Sequence, residues 1–178
     1  MLATVFDCET TGLIINPARK LDIQPEIISL AIQDVDLKAG VITDSYYQEF
    51  KPLKPVSEEI TRITKITNER LRNAHSMFFE LPIIISKFSS APMLIGQNIK
   101  FDMDMIELEC QRYNWPKFKW PTAIDLIQHT IHLKGYRLSL TNLHKELFGA
   151  EFASAHDASV DCTITAKCAI ELFKRGLL

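Results

Sequence analysis

The sequence predicts an α/β protein: a mixed central sheet that opens with three antiparallel strands and is flanked by helices. Three observations carry this. Apolar runs of strand length occupy residues 2–50. From residue 56 onward the apolar residues recur at helical spacing. A short apolar run, 93–96, interrupts the helical part.

The elements follow in order. LATVFD (2–7) reads as a short strand, EIISLAIQDV (26–35) as a second that alternates towards its end, and VITDSYYQEF (41–50) as a third. DLKAG (36–40), with Gly40, fits a hairpin turn between the last two, and the short links make the start antiparallel. After KPLKP (51–55) the period changes. VSEEITRIT (56–64) carries Ser57 as cap, with Ile60 and Ile63 on one face. MFFELPIIISKFS (77–89) is a second helix, with Pro82 expected near its start or at a break. MLIG (93–96) is a buried strand, 99–113 a helix and WPKFKWP (115–121) a loop. Residues 122–132, 139–148 and 157–175 read as three further helices, with Gly149 and Gly176 placed to stop the last two.

A chain of 178 residues suits a single domain, here 1–178, with a sizeable core. The net charge of −2 does not point to bulk phosphate binding but leaves nucleic acid open, with any affinity coming from a local patch or a bound metal. The four cysteines, Cys8, Cys110, Cys162 and Cys168, form no CxxC pair, which argues against zinc and for buried, reduced thiols. There is no basic-then-apolar leader and no apolar run of membrane-spanning length, so a cytoplasmic protein without a membrane partner is expected.

Three clusters of acids stand out. In FDCETTGL (6–13), Asp7 and Glu9 share a strand face while Phe6 and Cys8 face the other way. Two carboxylates side by side repel unless a cation lies between them, and a hard ion such as Mg²⁺ prefers oxygen ligands. In GQNIKFDMDMIELE (96–109), Asn98 and Asp102 share a face at the start of a helix that follows a strand, where α/β sheets place sites. Asp104, Glu107 and Glu109 read as surface acids. In SAHDASVDCTI (154–164), His156 and Asp161 meet at one site only if His156 lies in the loop before the helix, with His156 or Asp157 as cap. A histidine there suits a general base. His75, His129, His132 and His144 read as surface or packing residues.

Together these stretches resemble the DnaQ-like 3′–5′ exonucleases of the DEDDh group. Asp7-Cys8-Glu9-Thr10-Thr11-Gly12 is similar to their D-x-E-T-T-G strand end. Asn98 to Asp102 is similar to N-x-x-F-D, and His156 with Asp161 to H-x-x-x-x-D. ITKITNERL (63–71) is a weaker match to H-G-I-T-x-E-x-L, with Thr64-Lys65 in place of His-Gly. Gln97 stands where many relatives have His.

The resemblance implies a ribonuclease H-like fold and two divalent ions, Mg²⁺ or Mn²⁺, held by Asp7, Glu9, Asp102 and Asp161, with His156 taking a proton from the attacking water. It implies a single-stranded 3′ end as substrate, released as nucleoside 5′-monophosphates, with DNA favoured over RNA, by an enzyme that is either free-standing or partnered by a DNA polymerase. By position Thr10, Gly12, Leu13, Ile63, Thr64, Asn98 and Phe101 would contact the strand end, Leu13 and Ile63 being equally readable as core. Asp125 is given a structural role. Basic residues at 51–72 could bind phosphates, whereas WPKFKWP reads better as a loop anchored by its aromatics. The rivals are an exoribonuclease or oligoribonuclease and a catalytically inactive nucleic-acid-binding module.

Overall fold

The computed structural model describes residues 1–16, 20–152 and 156–178. Strand β1 (Leu2–Thr10) pairs antiparallel with β2 (Ile27–Asp36), which pairs antiparallel with β3 (Val41–Glu49). β4 (Leu94–Gly96) lies parallel to β1 on its other side, and β5 (Ala123–Asp125) lies parallel to β4, giving the order β3-β2-β1-β4-β5. The antiparallel start and the mixed sheet are therefore as the sequence predicts. β1 runs on past Asp7, the last residue of the expected strand, to Thr10, so Glu9 is a strand residue as well.

Helices α1 (Glu58–Thr64) and α2 (Asn68–Leu71) follow the hairpin, capped by the hydroxyls of Ser57 and Thr67. Next come α3 (Met77–Ser90) and, after β4, α4 (Ile99–Arg112). Pro82 is the sixth residue of α3 and causes no break in it, a departure from the expectation of a start or a kink. The short helices α5 (Leu126–His129) and α6 (Ile131–Lys134) lead into α7 (Leu140–Phe148) and α8 (Ala158–Lys174).

The helix expected over 122–132 is corrected. Its first part is β5, and the remainder is split between α5 and α6. Three residues are too few to show a period, and parallel pairing with Leu94–Gly96 outweighs local preference.

Alternation along β1 builds two cores. Ala3 and Val5 pack with Ala31 and Val35 against Cys162, Ala166 and Ala169 of α8. Phe6 and Cys8 pack on the opposite face with Leu81, Ile84 and Phe88 of α3 and Met105 and Ile106 of α4. Trp120 stacks on Phe6 with ring centroids 6.3 Å apart, and Phe118 lies 4.5 Å from Trp120, so WPKFKWP is anchored by its aromatics. All four cysteines are free and buried. Among the described residues no helix is long and apolar enough to cross a membrane.

Gly96 ends β4 at a close approach. A Cβ there would lie 2.8 Å from the side chain of buried Ile99 in the first turn of α4. Gly96→Ala is expected to cost about 1–3 kcal/mol by overpacking. Urea denaturation measures it, and an unchanged midpoint would show that the first turn of α4 yields freely.

Candidate active site

β1 supplies the first two acids. Asp7 and Glu9 project from the α8 side of the sheet at its end, into a cleft of about 760 Å³. This is the face predicted from their i, i+2 spacing. α4 supplies Asp102, which is 4% exposed. Its Oδ1 accepts the backbone N–H of Cys8 at 3.0 Å, so α4 and β1 are tied together at the site. The helix starts where it does because Asn98 turns the chain in a left-handed conformation, φ 62°. Asp125 Oδ1 holds that turn by accepting the Asn98 N–H at 3.0 Å and caps α5 through the Ile127 N–H, which gives it the structural role expected.

α8 supplies Asp161. Asp157 is its N-cap, accepting from the N–H groups of Ser159 and Val160. His156 therefore stands in the loop before the helix, at φ 68°, and its N–H donates to Asp161 Oδ2 at 2.8 Å. This is the arrangement the five-residue spacing required. Glu9, His156 and Asp161 bring ligand atoms within 4.8 Å of one another.

The electrostatics are those of crowded acids, with His156 beside Asp161 opposing the repulsion there. Burial, then the charges of Asp102, Asp161, Glu9 and Asp157, hold the Asp7 carboxyl well above the usual range. Burial and the facing Asp161, Asp102 and Asp157 push Glu9 up to about 8. Burial pushes Asp102 up to about 7, against the lowering effect of its hydrogen bonds with Cys8. Asp161 is raised by burial, and its buried Oδ1 has no hydrogen-bond partner among the described residues. Four mutually repelling carboxylates, with Asp161 Oδ1 left unpartnered among the described residues, fit hard divalent cations.

The rest of the cleft contains every residue expected to touch a strand end: Thr10, Gly12, Leu13, Ile63, Thr64, Asn98 and Phe101. Leu13 is 81% exposed and Ile63 43%, which removes the core-packing alternative for both. Thr10 and Thr64 are buried, and their hydroxyls donate to the backbone oxygens of Gly12 and Ile60, so these two shape the walls. Ser57, Glu59, Ile60 and Gln97 also line the cleft. The resemblance signals Gln97, which stands where many relatives have His; only adjacency to the motifs could have signalled the other three. Gln97 donates to the Leu138 carbonyl at 2.8 Å, and its buried Oε1 has no hydrogen-bond partner among the described residues.

Two surface expectations change. Glu109 is corrected from surface acid to buried residue, 2% exposed, because Arg112 pairs with it at 2.5 Å. Asp104 and Glu107 stay on the surface, bonded to Lys100 and Trp120. Much of the basic stretch is engaged locally: Arg70 with Glu49, Arg72 with Glu69, Lys54 with the Asp22 carbonyl and Lys65 with the Arg62 carbonyl.

The Exonuclease family model, RNase_T, matches residues 4–169. The chain is 26% identical over 178 residues to the DNA polymerase III subunit epsilon of Aquifex aeolicus, covering 97% of this chain and 83% of that protein. It is 27% identical over 175 residues to the PolC-type DNA polymerase III of Caldanaerobacter subterraneus subsp. tengcongensis, covering 96% of this chain but only 11% of that protein. The nuclease domain of 3′hExo, a DEDDh family member solved with rAMP, superposes with a TM-score of 0.79 at 17% identity, covering 99% of this chain and 93% of that one. Escherichia coli Exonuclease I, solved with a dT13 oligonucleotide, gives 0.77 at 21%, covering 98% and 41%. These two likenesses are of fold. The chain belongs to the Exonuclease family: it is a DnaQ-like nuclease domain with the ribonuclease H-like fold of the DEDDh 3′-exonucleases.

Proposed function

We propose that residues 1–178 form one exonuclease domain, working in the cytoplasm, that removes nucleoside 5′-monophosphates from the 3′ end of single-stranded DNA. The observation that carries this is the meeting of four carboxylates from β1, α4 and α8 at one cleft, with an exposed leucine at its wall. Asp7, Glu9, Asp102 and Asp161 are the residues that would hold two divalent ions, Mg²⁺ or Mn²⁺. When bound, such ions stabilise the attacking and leaving oxygens of an in-line displacement. His156, on its loop beside Asp161, receives the proton of the attacking water. Leu13 and Ile63 flank the terminal base, while Thr10, Gly12, Thr64, Asn98 and Phe101 shape the pocket around it. Contacts of this kind do not read base identity.

DNA is favoured over RNA because a relative that matches 97% of this chain at 26% identity is a DNA polymerase III subunit. A DNA polymerase is the partner this reading suggests, with proofreading or repair as the setting. The test uses 5′-labelled DNA and RNA strands of one sequence. Faster shortening of DNA is expected, and faster shortening of RNA would replace this reading with an exoribonuclease. Leu13→Ala is expected to raise KM for the DNA strand about tenfold by removing apolar contact with the base. An unchanged KM would take Leu13 out of the binding surface.

A further inference from the structure

The far end of α4 carries a device that the chemistry above does not use. Glu109 and Arg112 lie one turn apart there, with both side chains buried and paired at 2.5 Å, seven and ten residues, or about 10 and 15 Å, along the helix from Asp102. Among the described residues, their remaining side-chain bonds go to residues 21–27, the segment that leads into β2 and the first residue of that strand. Glu109 accepts the Ile27 N–H at 3.1 Å. Arg112 donates to the Pro25 carbonyl at 2.9 Å, with Leu21 and Gln24 carbonyls at 3.4 and 3.5 Å. Gln24, itself buried, reaches onward: its Oε1 accepts the Ile15 N–H and its Nε2 donates to the Asn16 carbonyl, each at 3.1 Å. A second tie joins the base of the same loop, where Glu26 and Thr11 exchange hydrogen bonds at 2.8 and 2.9 Å.

The result is one continuous chain of contacts. It runs from the C-terminal end of α4, through Arg112 and Gln24, to the backbone at 15–16, two residues beyond Leu13. Leu13 has little packing of its own at 81% exposure, so its place is set by what holds the backbone after it. A buried ion pair is a costly way to stabilise a fold, and an apolar pair of similar volume often does as well or better. A planar guanidinium with Nη1 on Glu109 and Nη2 among the backbone carbonyls fixes geometry in a way an apolar pair cannot.

We infer that Arg112 and Gln24 are positioning residues for the strand end: through the 15–16 backbone they hold Leu13 at the cleft. This rests on the exonuclease reading above and specifies what aims its binding wall. Because α4 also carries Asp102, one rigid helix sets the separation between the carboxylates and the leucine.

The test uses two variants. Arg112→Lys keeps the charge facing Glu109 but loses the fork, and Gln24→Met keeps volume but loses both loop bonds. Each is assayed with Mn²⁺ on a single-stranded oligonucleotide and on bis(p-nitrophenyl) phosphate, a diester with no base to bind. The expected result is a KM for the oligonucleotide raised about tenfold, with kcat and hydrolysis of the small diester within about twofold of wild type. A merely structural role would lower both substrates together. Unchanged oligonucleotide KM in Gln24→Met, or parallel loss on both substrates, overturns the inference. If Arg112→Lys does not fold, Gln24→Met decides alone. Failure of the wild-type protein on both substrates would instead overturn the exonuclease reading.

Discussion

Asp7→Asn is expected to lower kcat by on the order of 10⁴-fold while making the metal-free protein more stable. Both effects have one cause. Asp7 sits among Glu9, Asp102, Asp157 and Asp161, and its carboxyl is held well above the usual range by burial and by those charges. An amide has the same shape and no charge, so it relieves the repulsion. It also removes the central donor of the proposed metal site. The stabilisation is expected to be largest at alkaline pH, where the carboxyl of an unfolded chain would be fully charged. Thermal unfolding in chelator and strand-shortening assays in Mn²⁺ check the two halves separately. A variant that is inactive and also less stable would mean that Asp7 holds the fold rather than the reaction.

The second large effect is a pH dependence that metal should reverse. In an unfolded chain these carboxyls titrate near 4. In the fold Glu9 titrates near 8 and Asp102 near 7, and Asp7 and Asp161 are raised as well. Between those limits the folded state holds more protons than the unfolded state, so stability falls as pH rises. Below about pH 4 both states are protonated and the contribution is constant. The groups facing one another here are Asp7 and Glu9 of β1, Asp102 of α4, Asp161 and the cap Asp157 of α8, and His156 before it.

The metal-free protein is therefore expected to melt on the order of 5 °C lower at pH 8 than at pH 5.5. Mn²⁺ at one hundred times its dissociation constant adds about 2.7 kcal/mol, roughly 5–10 °C. The gain should be larger at pH 8, where protons compete less for the carboxylates. A metal-induced shift of equal size at both pH values would count against these acids as the ligands.

The sequence carried the site further than it carried the fold around it. Asp7 and Glu9 were legible because strand geometry alone puts i and i+2 on one face, and Asp161 with His156 because only a loop before α8 could bring a five-residue spacing together. Their convergence with Asp102 was not in any local period. It depends on the β1–β4 pairing and on the Cys8 N–H that Asp102 accepts. β5 was missed because three residues show no alternation, and its partner rather than its composition makes it a strand. Glu109 was misread because an acid on a helix looks solvated until the arginine that pairs with it is seen to be buried too. Leu13 and Ile63 were ambiguous in sequence, since an apolar residue beside a motif is core or contact depending only on exposure.

The central claim is that the acidic cleft hydrolyses phosphodiesters one at a time from a 3′ end. Its most direct test is a single-stranded DNA labelled in its last phosphodiester, incubated with the protein and Mn²⁺. The account predicts that the first labelled product is a nucleoside 5′-monophosphate, formed without a lag, abolished by chelator and by Asp7→Asn. Labelled oligonucleotides as the first product, or label released by the Asp7→Asn protein at the wild-type rate, would contradict it.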